Sequence, residues 1–261
     1  MSDRSRYTAP ALEKGLDILE LLASRFEPMS QAAIAHALGR TPSEVFRMIS
    51  VLEQRGYLVR GSEDELYRLS PQLFELAHQH PPSRRLLDAA IPVMHSLAAE
   101  IEQSCHLSVR FSRFAVVIAQ VDPPGFIGFS VRVGARAPML DSCSGLTLLA
   151  FRPSWENDEA IFVDDEVERS DEERVALLAK IERVRQTGRT RVPSLITHGI
   201  TDIASPVLDH TGCAMASLTV PYLARVGDSP SLERAQAVVQ RTASELTLTL
   251  GGQLLHPVPQ A

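Results

Sequence analysis

Residues 30–54 confine this chain more tightly than any other stretch. Thr41 is an N-cap residue, Pro42 fits the first helical position, and Glu44 completes a Thr-x-x-Glu capping box. Behind that start, Val45, Met48, Ile49 and Leu52 recur at helical spacing on one face, with Ser43, Arg47, Ser50 and Gln54 opposite. A second helical signal precedes it, with Ser30 as N-cap, then Ile34, Ala35, Ala37 and Leu38, and Gly39-Arg40 as the short connection. Helix, glycine-containing turn and capped helix make the helix-turn-helix pattern. The polar face of its second helix carries donors and acceptors of the kind that read base edges in a major groove.

The flanking sequence extends this to a winged helix. A first helix is predicted over Ala9–Ala23, with Leu12, Leu16, Leu19, Leu22 and Ala23 on one face. After Gly56, strands at 57–60 and 66–69 enclose the turn Gly61-Ser62-Glu63-Asp64. A short helix with Leu73, Leu76 and Ala77 ends at His80-Pro81-Pro82, a hinge signal. Leu86 to Ile101 reads as two helices divided at Pro92, since proline inside one helix is costly. Strands are expected at 106–111, 115–121, 128–133, 203–208 and 214–220. Helices are expected at 144–151, at 171–186 and after Pro230. The fold class is therefore α+β, with three parts: 1–80, a linker of helices at 81–103, and 104–261.

At 261 residues the chain is long enough for two cores. Its net charge of −6 argues against nonspecific coating of nucleic acid, and the first eighty residues are not net basic either. DNA recognition must therefore rest on where the charges stand. Cys105, Cys143 and Cys213 are widely spaced and form no CxxC, no signal peptide opens the chain, and no apolar run is long enough to span a membrane. A reduced, cytoplasmic compartment is the expectation. Glycine-rich phosphate loops, HExxH and GxSxG are absent, so neither an enzyme nor a cofactor is expected.

Several blocks resemble the IclR family of bacterial transcriptional regulators. Ala11–Leu22, Ala33–Gly39 and Glu53–Leu58 resemble its DNA-binding domain. Val133–Met139 and Ser144–Ala150 resemble an effector-domain segment, and Gly199–Val207 resembles its glycine-plus-strand segment. The resemblance implies an N-terminal winged helix-turn-helix, a linker helix and a C-terminal GAF-like effector-binding domain. It also implies a homodimer or tetramer, a pseudo-palindromic double-stranded operator, and a small organic acid or aromatic catabolite as effector. Two places depart from common family patterns. Pro206 stands near where some members carry a pocket cysteine, and Thr219 and Pro221 stand where many have two serines.

The candidate DNA-binding residues are Arg40, Thr41, Ser43, Glu44, Arg47, Ser50, Arg60 and Arg68. Arg47 is the sharpest, because a guanidinium can bond guanine bidentately. Glu44 reads first as a cap; Arg40 and the wing residues Arg60 and Arg68 suit phosphates. The competing reading of the whole stripe is a solvated helix face. The candidate effector-binding residues are Ser142, Cys143, Ser144 and Gly145 at a helix start that favours anions, with Phe129, Asp202 and Thr219. The competing readings there are a plain helix cap, core packing for Phe126 and Phe129, and strand propensity for Thr219. Cys105-His106 reads as a buried strand cysteine beside a partly exposed histidine, with no metal site. The rival function is a small-molecule-binding or protein-interaction module that does not bind DNA.

Overall fold

The computed structural model describes residues 9–25, 27–79, 81–126, 128–153, 170–225 and 230–254. The polar start at 1–8 and His80, both expected in loops, lie outside them. The chain divides into two compact units, Met1–Arg84 and Arg85–Ala261.

In the first unit, α1 (Pro10–Ser24), α2 (Gln31–Ala37) and α3 (Pro42–Gln54) precede the antiparallel hairpin β1 (Leu58–Arg60) and β2 (Tyr67–Leu69), and α4 (Gln72–Gln79) follows. His78, whose place shortly before Pro81 suggests a loop, lies on α4. Their shared core is Ile18, Leu22, Ile34, Ala35, Val45, Ile49, Leu58 and Tyr67, with Met29 bridged to Tyr67 across the wing base. Both caps form as expected: the Ser30 hydroxyl accepts from Ala33 N–H, and Thr41 and Glu44 close a reciprocal capping box. Gly39 adopts φ +61°, the left-handed turn between α2 and α3 that a side chain would strain. The expected stripe on α1 is corrected. Ile18 and Leu22 are buried and Leu19 and Leu21 partly so, whereas Leu12, Leu16 and Ala23 are exposed. Helical spacing alone allowed either leucine row to be the inner one. Thr41→Ala is expected to lower stability by about 1 kcal/mol, seen as a lower urea midpoint with unchanged slope.

In the second unit, α5 (Pro81–Ile101) is one continuous helix, not two. Pro92 sits on its exposed face, where water can serve the carbonyl that proline leaves without an N–H donor, so the helix passes through. The strands β3 (Cys105–Phe111), β4 (Phe114–Val121), β5 (Arg136–Pro138), β6 (Thr190–Pro193), β7 (Ile200–Leu208) and β8 (Ala214–Leu223) form one antiparallel sheet in the order β5-β4-β3-β8-β7-β6. The strand expected at 128–133 is absent. Pairing to β4 begins only after the left-handed turn at Gly134 (φ +86°), which delays it to β5. The edge strand β6 was not anticipated.

Helices α5 and α8 (Leu232–Thr249) cover one face of the sheet through Met94, Leu97, Ile101, Val239 and Leu246. Helices α6 (Cys143–Ala150) and α7 (Asp171–Thr187) pack with Met139, Leu140 and Leu208 in a second apolar cluster. Strand alternation sorts the side chains. On β8, Ala216, Leu218 and Val220 join the α5/α8 core, while Ser217 and Thr219 turn the other way. On β3, Cys105 and Leu107 join that core, while His106 and Ser108 turn towards a cavity. A bulge opposite Leu107/Ser108 inserts one extra residue into β4. It switches the strand's phase, so Ala119 and Val121 serve the α5/α8 core while Ala115 and Val117 line the cavity.

Candidate functional sites

The outward face of α3 is the first site. Arg47 and Ser43 are exposed and make no side-chain hydrogen bond or ion pair among the described residues. The other six candidates have partners within the chain. Arg40 Nη2 lies 2.6 Å from Asp17 Oδ2. Thr41 and Glu44 are held in the capping box, and Lys14 Nζ donates to Glu44 Oε1 at 2.7 Å. Those bonds, Lys14 foremost and then Thr41, pull the Glu44 carboxyl down to about 2. The Ser50 hydroxyl donates to the Phe46 carbonyl at 2.9 Å. In the wing, Arg60 pairs with Glu65 at 3.1 Å and Arg68 with Asp64 at 3.2 Å. These are exposed pairs that hold little energy and exchange readily. Sequence reasoning missed Phe46, which stands 54 % exposed beside Arg47.

The second site is a cavity of about 70 Å³ in the C-terminal unit. It collects Phe129, Ser142, Cys143, Ser144, Asp202 and Thr219 from four separate stretches of chain. Gly145, the seventh candidate, is not in its wall. The Gly145 N–H is taken by the Ser142 hydroxyl at 3.1 Å, and its bare Cα lets α6 approach the Met139 backbone. Phe126 is fully exposed and also outside the wall. Ser142 caps α6 and also donates to the Pro138 carbonyl at 2.6 Å. Ser144 Oγ and Thr219 Oγ1 are hydrogen-bonded at 2.9 Å, which ties the start of α6 to β8. The Ser104 hydroxyl holds the Phe129 carbonyl, fixing that part of the wall.

The wall also contains residues that sequence reasoning did not assign to it: His106, Ser108, Arg136, Ser194, Leu195 and Ile196. The expectation of a partly exposed His106 is corrected. Its side chain points inward from β3, the residue is 6 % exposed, and Nδ1 has no hydrogen-bond partner among the described residues. Period-two alternation puts His106 on the face opposite the buried Leu107, and in the fold that face is covered as well. Burial pushes the His106 imidazole down to about 4, so it is neutral at pH 7. Burial, opposed by a Ser194 hydrogen bond, pushes the Asp202 carboxyl up to about 6. The Asp202 shift favours the folded chain below pH 3.8, a contribution lost as pH rises through 6. The His106 shift acts oppositely, favouring the fold above pH 6.5 and losing that contribution as pH falls towards 4. Burial raises both nearby thiols, Cys105 to about 12 and Cys143 well above the ordinary range, with Asp202 adding to the latter. Neither is activated as a thiolate.

Among the described residues, no group of three or more His, Cys, Asp or Glu side chains is arranged to hold a metal, and no helix is long and apolar enough to cross a membrane.

Comparison with known proteins joins the two sites. Residues 11–62 match the family described as "IclR helix-turn-helix domain", and residues 80–248 match "Bacterial transcriptional regulator IclR C-terminal". The chain is 25% identical over 253 residues to the HTH-type transcriptional regulator KdgR of Escherichia coli (strain K12), covering 95% of each chain. It is 25% identical over 248 residues to the HTH-type transcriptional repressor AllR of Salmonella typhi, covering 93% of this chain and 90% of that one. Among solved structures, an IclR homolog from Microbacterium hydrocarbonoxydans complexed with 4-hydroxybenzoate superposes with a TM-score of 0.78 at 22% identity, covering 92% of this chain and 99% of that one. The Thermotoga maritima IclR gives 0.72 at 22% identity, covering 92% and 98%. A winged helix-turn-helix followed by an α+β effector domain, matched in both halves and in this order, places the chain in the IclR family of bacterial transcriptional regulators.

Proposed function

We propose that the protein is a cytoplasmic, ligand-responsive regulator that binds a pseudo-palindromic operator as a homodimer or tetramer and senses a small carboxylate. One observation carries the DNA half of this reading: among the described residues Arg47 and Ser43 have no side-chain partner on the outer face of α3, while Val45 and Ile49 hold its inner face to the core. Arg47 bonds a guanine edge; Ser43 bonds a base or phosphate. Arg40, Arg60 and Arg68 exchange their carboxylate partners, part-buried for Arg40 and exposed for the other two, for phosphates on binding. The test is selection from a random-sequence duplex pool by the full chain. Enrichment of a two-half-site sequence is expected; a pool left unenriched defeats the reading.

The cavity supports the ligand half. Its wall combines one cation (Arg136), hydroxyls (Ser108, Ser142, Ser144, Thr219), a neutral imidazole and the N-terminal end of α6. That set suits a carboxylate at one end and a hydroxyl or carbonyl group at the other. The volume corresponds to about two water molecules at liquid density, which favours a compact ligand. The 4-hydroxybenzoate of the Microbacterium homolog has the same two kinds of polar end on a larger body. The ligand changes DNA affinity only if it binds two arrangements of the protein unequally, and α5, whose span Pro81–Ile101 crosses the boundary between the units, is the element proposed to relay the difference.

The acid in the wall gives this reading a pH signature. With Asp202 ionised at pH 7, a bound carboxylate faces a like charge, so binding takes up a proton. Affinity for a carboxylate should rise as pH falls from 7.5 through 6, by at most about tenfold per pH unit, and level off once Asp202 is protonated. Asp202→Asn should bind more tightly at pH 7.5 and show a flat profile. Calorimetric titration of short hydroxy- and keto-carboxylates and of 4-hydroxybenzoate measures this. A wild-type affinity that falls on acidification to pH 6 contradicts a carboxylate beside Asp202.

A further inference from the structure

The outer face of α3 is not wholly polar. Phe46 is 54 % and Val51 52 % exposed, one on either flank of Arg47 and Ser43, and neither ring nor branch belongs to the core of the unit. A single exposed apolar side chain is unremarkable on most surfaces. Here the neighbouring polar groups change its meaning. Ser50 is bonded back to the Phe46 carbonyl, and Glu44 is held by Lys14 and Thr41. The face therefore offers a groove the Arg47 guanidinium, the Ser43 hydroxyl, the Gln54 amide and two apolar groups. Phe46 sits in the second turn, immediately before Arg47, in the N-terminal part of a recognition helix that meets base edges.

The apolar group that a major groove presents is the C5-methyl of thymine; cytosine, guanine and adenine present none. Successive helical residues diverge by about 100° and 1.5 Å, so Phe46 and Arg47 address neighbouring base pairs, not the same one. We propose that Phe46 is a specificity-determining residue whose ring packs on the C5-methyl of a thymine next to the guanine bound by Arg47. This rests on the DNA-binding reading above and goes beyond it by assigning a base to a residue. It also gives a role to a phenyl group that stands exposed directly beside Arg47.

The experiment removes only the methyl group. A duplex enriched by the full-length wild-type protein is remade with dU in place of each dT in turn, and binding is measured for wild type, Phe46→Ala and Phe46→Leu. Wild type should lose about fourfold at one or two thymines per half-site, the factor expected for one buried methyl group. Phe46→Ala should lose affinity for the thymine duplex and be indifferent to dU at those same positions. Phe46→Leu should keep part of the discrimination. Equal dU profiles for wild type and Phe46→Ala, or a wild-type profile flat at every position, overturn the assignment to Phe46 while leaving DNA binding intact. Failure of the wild type to enrich any duplex overturns both.

Discussion

Arg47→Ala is expected to erase most sequence preference while leaving the protein folded. The guanidinium makes no ion pair or side-chain hydrogen bond among the described residues, so its removal costs the fold little. A bidentate arginine–guanine pair discriminates by about 1–3 kcal/mol, so affinity for the selected duplex should fall by roughly tenfold or more for each half-site. Binding to random duplex should change much less, since phosphate contacts dominate there and Arg40, Arg60 and Arg68 are untouched. Fluorescence anisotropy at two salt concentrations separates the outcomes. A base-reading residue alters the ratio of specific to random binding, whereas a phosphate contact lowers both together and flattens the salt dependence. A variant that keeps the wild-type ratio would remove Arg47 from base recognition.

Gly145→Ala is expected to have the largest effect on stability. A Cβ there would stand 2.5 Å from Met139 Cα and closer still to the Met139 carbonyl oxygen, and backbone cannot swing aside as a side-chain tip can. α6 is buried along its whole length, so it has no free direction in which to retreat. Overpacking of this kind costs about 3 kcal/mol, which for a chain of this size lowers Tm by roughly 10 °C. The shift would also pull Ser144 from Thr219 and open the cavity wall, so ligand affinity should fall together with Tm. Unchanged Tm and ligand affinity would show that the helix can slide.

The sequence was most legible where one local rule acts on adjacent residues. The Thr41–Glu44 box, the Ser30 and Ser142 caps and the inner face of α3 are of this kind, and each is present in the fold. It was less legible where a choice depends on distant partners. Leu12 and Leu16 recur with the same period as the buried row, but only the positions of α2 and α3 decide which side of α1 is inside. Pro92 is tolerated because it falls on the exposed face, which spacing within one segment does not reveal. His106 reads as partly exposed because no residue near it in sequence shows that α6 covers the second face of β3. The wing arginines look free in sequence, yet Asp64 and Glu65 lie across the same turn and pair with them. Phe46 is not legible because no local rule assigns a role to an outward phenyl beside a polar stripe.

The extra residue in β4 has an evolutionary consequence. Val117 and Ala119 are two positions apart, yet one borders the chamber where a ligand is proposed to lie and the other supports the layer beneath the long connecting helix. Mutations at one can therefore reshape chemical preference without disturbing the machinery beside the other. On the function proposed above, descendants of such a scaffold can change the metabolite they answer to while keeping intact the helix layer proposed to convey the answer.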